Sequence, residues 1–321
     1  MGDAPRQGRE RMRLVWKGVS ILLTGLATGT SLMALAALGG RISTPLDILS
    51  HFAPIYVVIG LVIGLLALSM RRRGALVASL IAMTTGLVLI APEFTRSTGP
   101  TLPEGSPGQI KVIQFNAQRT NRDLSRTVDW LMAQNPDVVA ISEARHDLRD
   151  RLLARKWSPA GEKGSLMIFT REPYLRMVRP DVAKASELTF VNATYALPGG
   201  DAEVVTMHFD WPTRATFLYQ PWGLETVTQQ RPTSRMLLLG DFNNTPWSRH
   251  LQSLDNRLGL IRRDRAVATW PAQILGRPWP LPFLAIDHVY AGPGWATVKV
   301  ERGPWLGSDH YPLIVTLAPV R

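Results

Sequence analysis

The sequence predicts an α+β protein in two parts, an apolar helical region followed by a mixed, largely antiparallel sandwich with helices on its outside. Three observations lead there. Residues 18–40, 52–70 and 74–92 are runs of 23, 19 and 19 residues without a charged side chain. Residues 93–109 are rich in Pro, Gly, Ser and Thr, as a linker would be. Beyond them, short apolar strand patterns outnumber helical ones, and several neighbouring strands lack room for a crossover helix.

Roughly 20 helical residues cross a hydrocarbon core about 30 Å thick, so each charge-free run is read as a transmembrane helix and residues 1–92 as a membrane domain of three spans. Gly25 with Gly29, and Gly60 with Gly64, have the spacing of close helix packing. Basic residues set the orientation. Arg6, Arg9, Arg11, Arg13 and Lys17 precede the first run, and Arg71, Arg72 and Arg73 separate the second from the third. Only Arg41 lies between the first two runs, so the amino terminus and the triple arginine are expected in the cytoplasm. Three crossings then place the rest of the chain on the outer face of the cytoplasmic membrane. A flexible linker of about 18 residues has an end-to-end distance of roughly 20–25 Å, which would tether the sandwich close to lipid.

The sandwich is expected over residues 110–321. Strands are read at 110–117, 137–142, 166–170, 189–197, 203–208, 236–240, 286–290, 296–300 and 312–317. Helices are read at 121–134 and 148–153, and at 245–254 with Asn244 or Thr245 as the cap. There is no cysteine, which excludes a disulfide scaffold, a thiolate nucleophile, a Cys-bound zinc and an iron–sulfur cluster. The formal net charge is +11, but residues 1–91 hold nine Lys/Arg against three Asp/Glu, or +6, which leaves +5 for the larger remainder. That is a weak basic balance for a protein that grips duplex nucleic acid. Arg262, Arg263 and Arg265 form its tight basic cluster, read as a solvated face.

Polar residues stand where the apolar strands run out. Asn116 ends one strand, Glu143 follows another, and His208 ends a third. Asp241 and Asn243 follow Leu-Leu-Leu-Gly, Asp287 and His288 follow Leu-Ala-Ile, and Asp309 and His310 lie in Gly-Ser-Asp-His before the last strand. Taken singly, each is an ordinary turn or capping residue. Together they form a set of carboxylates, amides and imidazoles, the groups that bind a hard divalent cation and move protons at a phosphate ester.

In this order the motifs closely resemble the endonuclease/exonuclease/phosphatase superfamily, which includes DNase I-like nucleases, neutral sphingomyelinases and inositol-polyphosphate phosphatases. The resemblance covers about residues 109–319. It implies a four-layered α/β sandwich (DNase I-like) and a phosphoesterase dependent on Mg²⁺, with Mn²⁺ as the alternative. By position, Glu143 would bind the metal with Asn116 beside it and Asp309 close by. Asp241 would orient or deprotonate the attacking water, and Asn243 would hold the phosphoryl group. His310, oriented by Asp287, would contact the phosphoryl oxygens, and His208 would stabilise or protonate the leaving side. Ser142 stands where the superfamily usually has Gln, and His288 is expected to be structural.

The layout is also similar to a membrane-anchored bacterial branch that includes VanJ-type glycopeptide-resistance proteins and YafD-like proteins, to which Thr269-Trp270-Pro271 adds. That likeness implies a lipid-linked phosphate or pyrophosphate as the substrate. The stretch 270–285 is unusually apolar, with Arg277 its one charge. It is read either as a loop packed on the sandwich or as one that meets lipid through residues such as Trp279 and Phe283. A nuclease is the second reading of function, and a non-catalytic tethered binding module the third.

Overall fold

The computed structural model describes residues 4–161, 165–177 and 187–320, and the side chains among them from residue 10 onward. The side chains of Arg6 and Arg9, and residue 321 at the end of the expected sandwich, lie outside this description. Internal contacts divide the chain into two units. Met1–Thr95 with Trp247–Arg249 form one, and Arg96–Pro246 with His250–Arg321 form the other.

The first unit is helical: α1 (Ala4–Ala37), α2 (Thr44–Ser50), α3 (Ala53–Ser69) and α4 (Arg73–Thr95). Three spans were expected, but two helices, Glu10–Arg41 and Arg73–Thr95, are by themselves long and apolar enough to cross a membrane. The middle run forms one helix of 17 residues, α3, which falls short of a span by itself. Thr44–Ser50 and Ala53–Ser69 meet at 55° and pass the same test only as a pair. Pro54 is the physical cause, because proline starts a helix readily but cannot continue one. The two glycine pairs also separate. A Cβ at Gly60 would lie 2.8 Å from the Ser79 carbonyl oxygen, so α3 and α4 pack through that glycine, whereas a Cβ at Gly25 or Gly29 would meet nothing within 4 Å among the described residues beyond its own helix turn.

The second unit is the sandwich. One sheet has six strands: β1 (Ile110–Asn116), β2 (Val138–Ser142), β3 (Ser158–Ala160), β4 (Met167–Thr170), β12 (Trp295–Arg302) and β13 (Leu313–Pro319), in the order β12-β13-β1-β2-β4-β3. The other has five: β5 (Thr189–Leu197), β6 (Gly200–His208), β7 (Leu237–Asp241), β8 (Ile261–Arg262) and β11 (Asp287–Ala291), in the order β5-β6-β7-β11-β8. Among the described strands β1 with β2 and β6 with β7 are parallel pairs, and the other ladders are antiparallel.

Alternation along the strands builds the layers. Val112, Val138, Ala140, Val204, Leu237, Leu239 and Val289 share one core between the sheets. The alternate residues Ile113, Phe115, Val139 and Ile141 pack with Leu124, Val128 and Leu131 of α5 (Leu124–Gln134) and with Leu148 and Leu152 of α6 (His146–Ala154). On the far side Val205, Met207 and Leu238 pack with Leu224 and Val227 of α7 (Gln220–Gln229) and with Leu251 and Leu254 of α8 (Arg249–Asp255). Helix, sheet, sheet and helix make the four layers that were expected.

Three local expectations are corrected. The helix read from residue 245 begins at Arg249, because Asn243 adopts a left-handed φ of 49° and Pro246 keeps Thr245 out of helical geometry. The basic cluster is no solvated face. Arg262 and Arg263 are buried; Arg262 pairs with Asp255 at 2.9 Å, and Arg263 donates to the carbonyl oxygens of Ala291, Gly292 and Thr98. The linker is no loose tether either. Arg96 donates to the carbonyls of Arg262 and Asp264, Arg265 donates to the Arg96 carbonyl, and Thr101 bridges to Thr297. Side-chain-to-carbonyl pairing of this kind is invisible to composition, which registers only the prolines and glycines.

The turn after β11 leaves no room for a side chain. A Cβ at Gly292 would run into the carbonyl oxygens of Thr233 and Ser234. Gly292→Ala is therefore expected to cost about 1–3 kcal/mol of stability, read as a lowered unfolding midpoint.

Candidate active site

The strand registers gather the polar residues. In the five-stranded sheet, His208 pairs with Asp241 across a parallel ladder and Asp287 pairs with Asp241 across an antiparallel one. The three therefore stand in one row at the end of adjacent strands. By alternation, Leu237, Leu239 and Asp241 share a face, as do Asp287, Val289 and Ala291, and that face is the one turned to the inter-sheet core. In the six-stranded sheet, Asn116 pairs with Ser142, and residues 112, 114 and 116 face the same core. Both rows end at the same edge of the sandwich, where backbone pairing stops and side chains replace it.

Asp241 is the hub. Its Oδ2 accepts from Asn116 Nδ2 at 3.0 Å and lies 3.5 Å from His208 Nε2 and 3.7 Å from His310 Nε2. Its Oδ1 accepts the Asn243 backbone N–H at 2.9 Å, which stabilises the left-handed turn. Asn243 Nδ2 donates to the Phe209 carbonyl at 2.7 Å and stands 3.5 Å from His208 Nε2. His310 Nδ1 sits 2.8 Å from Asp287 Oδ2, which also accepts from Thr269 Oγ1 at 2.6 Å. Glu143, at φ 54°, accepts from Asn116 Nδ2 at 3.1 Å and from the Arg119 backbone N–H at 3.3 Å. Asn116, Glu143, His208, Asp241, Asn243, Asp287 and His310 thus form one connected cluster. Asp309 stands at its rim, its N–H donating to Gln118 Oε1 at 3.1 Å and its Oδ2 accepting from Trp270 Nε1 at 3.4 Å.

Electrostatics separates the roles available to these groups. Burial and the neighbouring Asp287 push the Asp241 carboxyl up, against the pull of the two histidines and Asn116. Burial alone would lower His310, but Asp287 first and Asp241 next stabilise its imidazolium and raise it to about 10. Burial also works to raise Glu143, yet the bonds from Asn116 and Arg119, with His208 and His310 nearby, hold it below its ordinary value. The arrangement offers an ionised half-buried carboxylate, a buried carboxylate of raised basicity and a cationic imidazole side by side.

A divalent cation fits this donor set. One donor atom each from Asp241, Asp287 and His310 lies within 4.8 Å of the others. That trio differs from the expected ligands Asn116, Glu143 and Asp309, and its His310–Asp287 bond already occupies Nδ1. The half-buried Glu143 carboxylate is the better hard-cation ligand, since it is held ionised and its partners are an amide and a backbone N–H. The cluster also contains a buried acceptor, Asn243 Oδ1, that takes no hydrogen bond among the described residues. Hard oxygens of this kind suit Mg²⁺ or Mn²⁺ rather than a soft metal.

Several contributors escaped the sequence reading. Gln114, Gln118 and Ser308 position Asp287, Asp309, and Asn116 with His310 respectively. Each lies beside an expected residue but resembles an ordinary polar residue until its partner is known. Thr269 was noticed for its motif and not for its bond to Asp287. His288, expected to be structural, is fully buried, with Nδ1 2.7 Å from Asp264 Oδ2 and Nε2 2.9 Å from the Asn244 carbonyl oxygen.

A family profile described as "Endonuclease/Exonuclease/phosphatase family" matches residues 113–310. Solved structures share the fold of the second unit. An endonuclease/exonuclease/phosphatase from Beutenbergia cavernae is 18% identical, covers 66% of this chain and 72% of its own, and superposes with a TM-score of 0.51. D. rerio TDP2, solved in complex with single-strand DNA product, is 15% identical over 65% of this chain and 98% of its own, with a TM-score of 0.51. A mannosyl-6-phosphatase from Bacteroides thetaiotaomicron is 14% identical over 65% and 99%, with a TM-score of 0.52. No functionally curated protein matches the sequence.

Proposed function

Since this chain belongs to the endonuclease/exonuclease/phosphatase family, we propose that it is a metal-dependent phosphoesterase, anchored in the cytoplasmic membrane, that hydrolyses a lipid-linked phosphate ester or pyrophosphate at the outer face. The observation that carries the chemistry is the convergence on Asp241 of His208, His310, Asn116 and Asn243. Asp241, its basicity raised by burial, takes the proton of the attacking water. His310 stays cationic through Asp287 and meets the phosphoryl oxygens. His208 serves the leaving oxygen, and Asn243 holds the phosphoryl group. Glu143, with Asn116 and Asp309, would hold the divalent cation, which when bound supplies charge neutralisation at the phosphate. Catalysis of this kind is mostly positioning and electrostatics.

Membrane anchoring is supported by the two or three helices that meet the length and composition of a span. Topology turns on the bent pair. If α2 and α3 re-enter on one side, Arg71, Arg72 and Arg73 lie outside the cytoplasm; if they cross, these residues lie inside. The crossing alternative satisfies the charge rule, giving three spans over residues 1–92 and an external catalytic domain at 110–321. The same layout favours the VanJ- and YafD-like branch. One similar structure, D. rerio TDP2, is solved with single-strand DNA product, which keeps a nuclease as the second reading. The burial of Arg262 and Arg263 weighs against it by removing the basic cluster from the surface.

The test is phosphate release from a polyprenyl pyrophosphate by the full chain in detergent, with and without Mg²⁺. Glu143→Ala is expected to lower the rate about 10²–10³-fold, and chelation of the metal to abolish it. Release insensitive to both overturns the assignment.

A further inference from the structure

The stretch 270–285 is neither a loop packed flat on the sandwich nor a free lid. It is an excursion fastened at its base to the cluster. The Ala272 N–H donates to the Asp309 carbonyl at 2.7 Å, and Gln273 Nε2 donates at 2.7 Å to the same Gln118 Oε1 that accepts the Asp309 N–H. From that base rises a hairpin of β9 (Gln273–Ile274) and β10 (Arg277–Pro278). Its turn puts Leu275 at φ 51°, a left-handed conformation unfavourable for a leucine, with the side chain 97% exposed. The chain returns along Trp270 through the Trp270–Leu284 bridge.

On this base stands a row of aromatic rings. Trp270 reaches Asp309 through its indole N–H, meets Trp211 edge-to-face at 5.7 Å and meets Phe283 edge-to-face at 6.1 Å. Trp211 follows His208 by three residues in the chain, and Trp270, on which it packs, is bonded to Asp309. Trp211 is 41% exposed. Large apolar surface left in water beside a charged cluster is a mark of a binding site.

We propose that the Trp211–Trp270–Phe283 row is a subsite for the first several carbons of an aliphatic chain esterified to the phosphate. The inference rests on the phosphoesterase reading, which places the phosphoryl group at His310 and Asn243. Continuity decides the occupant: the central ring, Trp270, is hydrogen-bonded to Asp309, the chain neighbour of His310, so whatever lies on the row adjoins the phosphate. The rings pack edge-to-face on one another, which gives an apolar wall and not a parallel slot for a nucleobase. The indole N–H of the central ring makes no competing polar demand on the chain, since Trp270 Nε1 is engaged with Asp309.

The test is calorimetric binding of ethylphosphonate, hexylphosphonate and adenosine monophosphate to the full chain in detergent with Mg²⁺. Hexylphosphonate is expected to bind at least about tenfold more tightly than ethylphosphonate, the part of the gain for four CH₂ groups that an open wall can provide. Trp211→Ala and Phe283→Ala should each bring that ratio toward one. Trp211 is exposed enough that its replacement does not endanger folding. Equal affinities in the wild type, or a ratio that the two variants leave unchanged, overturn the subsite alone. Failure of both phosphonates to bind overturns the phosphoryl site and the subsite with it. Preference for adenosine monophosphate over hexylphosphonate makes the row a base platform and overturns the aliphatic assignment.

Discussion

Asp287→Asn is expected to move the alkaline limb of the pH–rate profile downward and to lower turnover at pH 8–9 by about 10²–10³-fold. The reasoning starts from His310. Its folded pKa is raised to about 10, chiefly because Asp287 opposes the effect of burial. An imidazole raised above its unfolded value contributes stability that is fully present below about 6.5 and is lost as pH rises through about 10. The cationic form, proposed above to meet the phosphoryl oxygens, therefore persists across neutral and mildly alkaline pH. Asparagine preserves the shape at Asp287 and can still bond to Thr269, but it removes the charge that holds the proton. The measurement is kcat/KM against pH for wild type and variant. An alkaline limb unmoved by the substitution would sink the assignment of His310 as the cationic group.

The second large effect lies behind the site. Arg262, Asp264 and His288 are buried together, with Asp264 2.7 Å from His288 Nδ1 and 3.7 Å from Arg262 Nη1, and Arg262 is also paired with Asp255. Both ring nitrogens of His288 face acceptors, Asp264 Oδ2 and the Asn244 carbonyl. Burial works to raise the Asp264 carboxyl, but His288 and Arg262 hold it below its ordinary value. Asp264→Ala leaves two buried basic groups without their shared partner, which is expected to cost about 3–5 kcal/mol. For a domain of this size that is about 10 °C in unfolding midpoint. Replacing Asp264 and His288 together by Leu should cost less than the single change, because His288 is no longer left facing an empty partner position and Arg262 keeps Asp255 at 2.9 Å. A single variant no less stable than the wild type would show that the network is hydrated.

The same cluster illustrates why some features were legible and others were not. Alternation in 112–116, 237–241 and 287–291 is a one-dimensional signal, and with the polar residue always at the strand end it announced Asn116, Asp241 and Asp287 as candidates before any partner was known. Arg262, Arg263 and Arg265 announced themselves equally clearly and were misread. Three arginines in four residues look solvated, because the acceptors of Arg263, the carbonyls of Thr98, Ala291 and Gly292, are remote in sequence. The linker was misread for the same reason, its fastening to Thr297 and residues 262–264 being non-local.

What the sequence by itself determined was local or periodic. The strand and helix patterns, the apolar runs, the strand-end polar residues and their order depend on the chemistry of neighbouring residues along the chain. What only the tertiary structure decided was pairing. Register placed His208, Asp241 and Asp287 in one row, and two facing sheets brought Asn116 to them. Non-local hydrogen bonds fixed the base of the hairpin at Asp309 and Gln118. A break ahead of Pro54 set α2 at an angle to the helix of the middle apolar run. Pairing escapes the sequence because hydrogen bonds and ring contacts form wherever the folded chain brings complementary groups within a few ångströms, and their separation along the chain carries no trace of it.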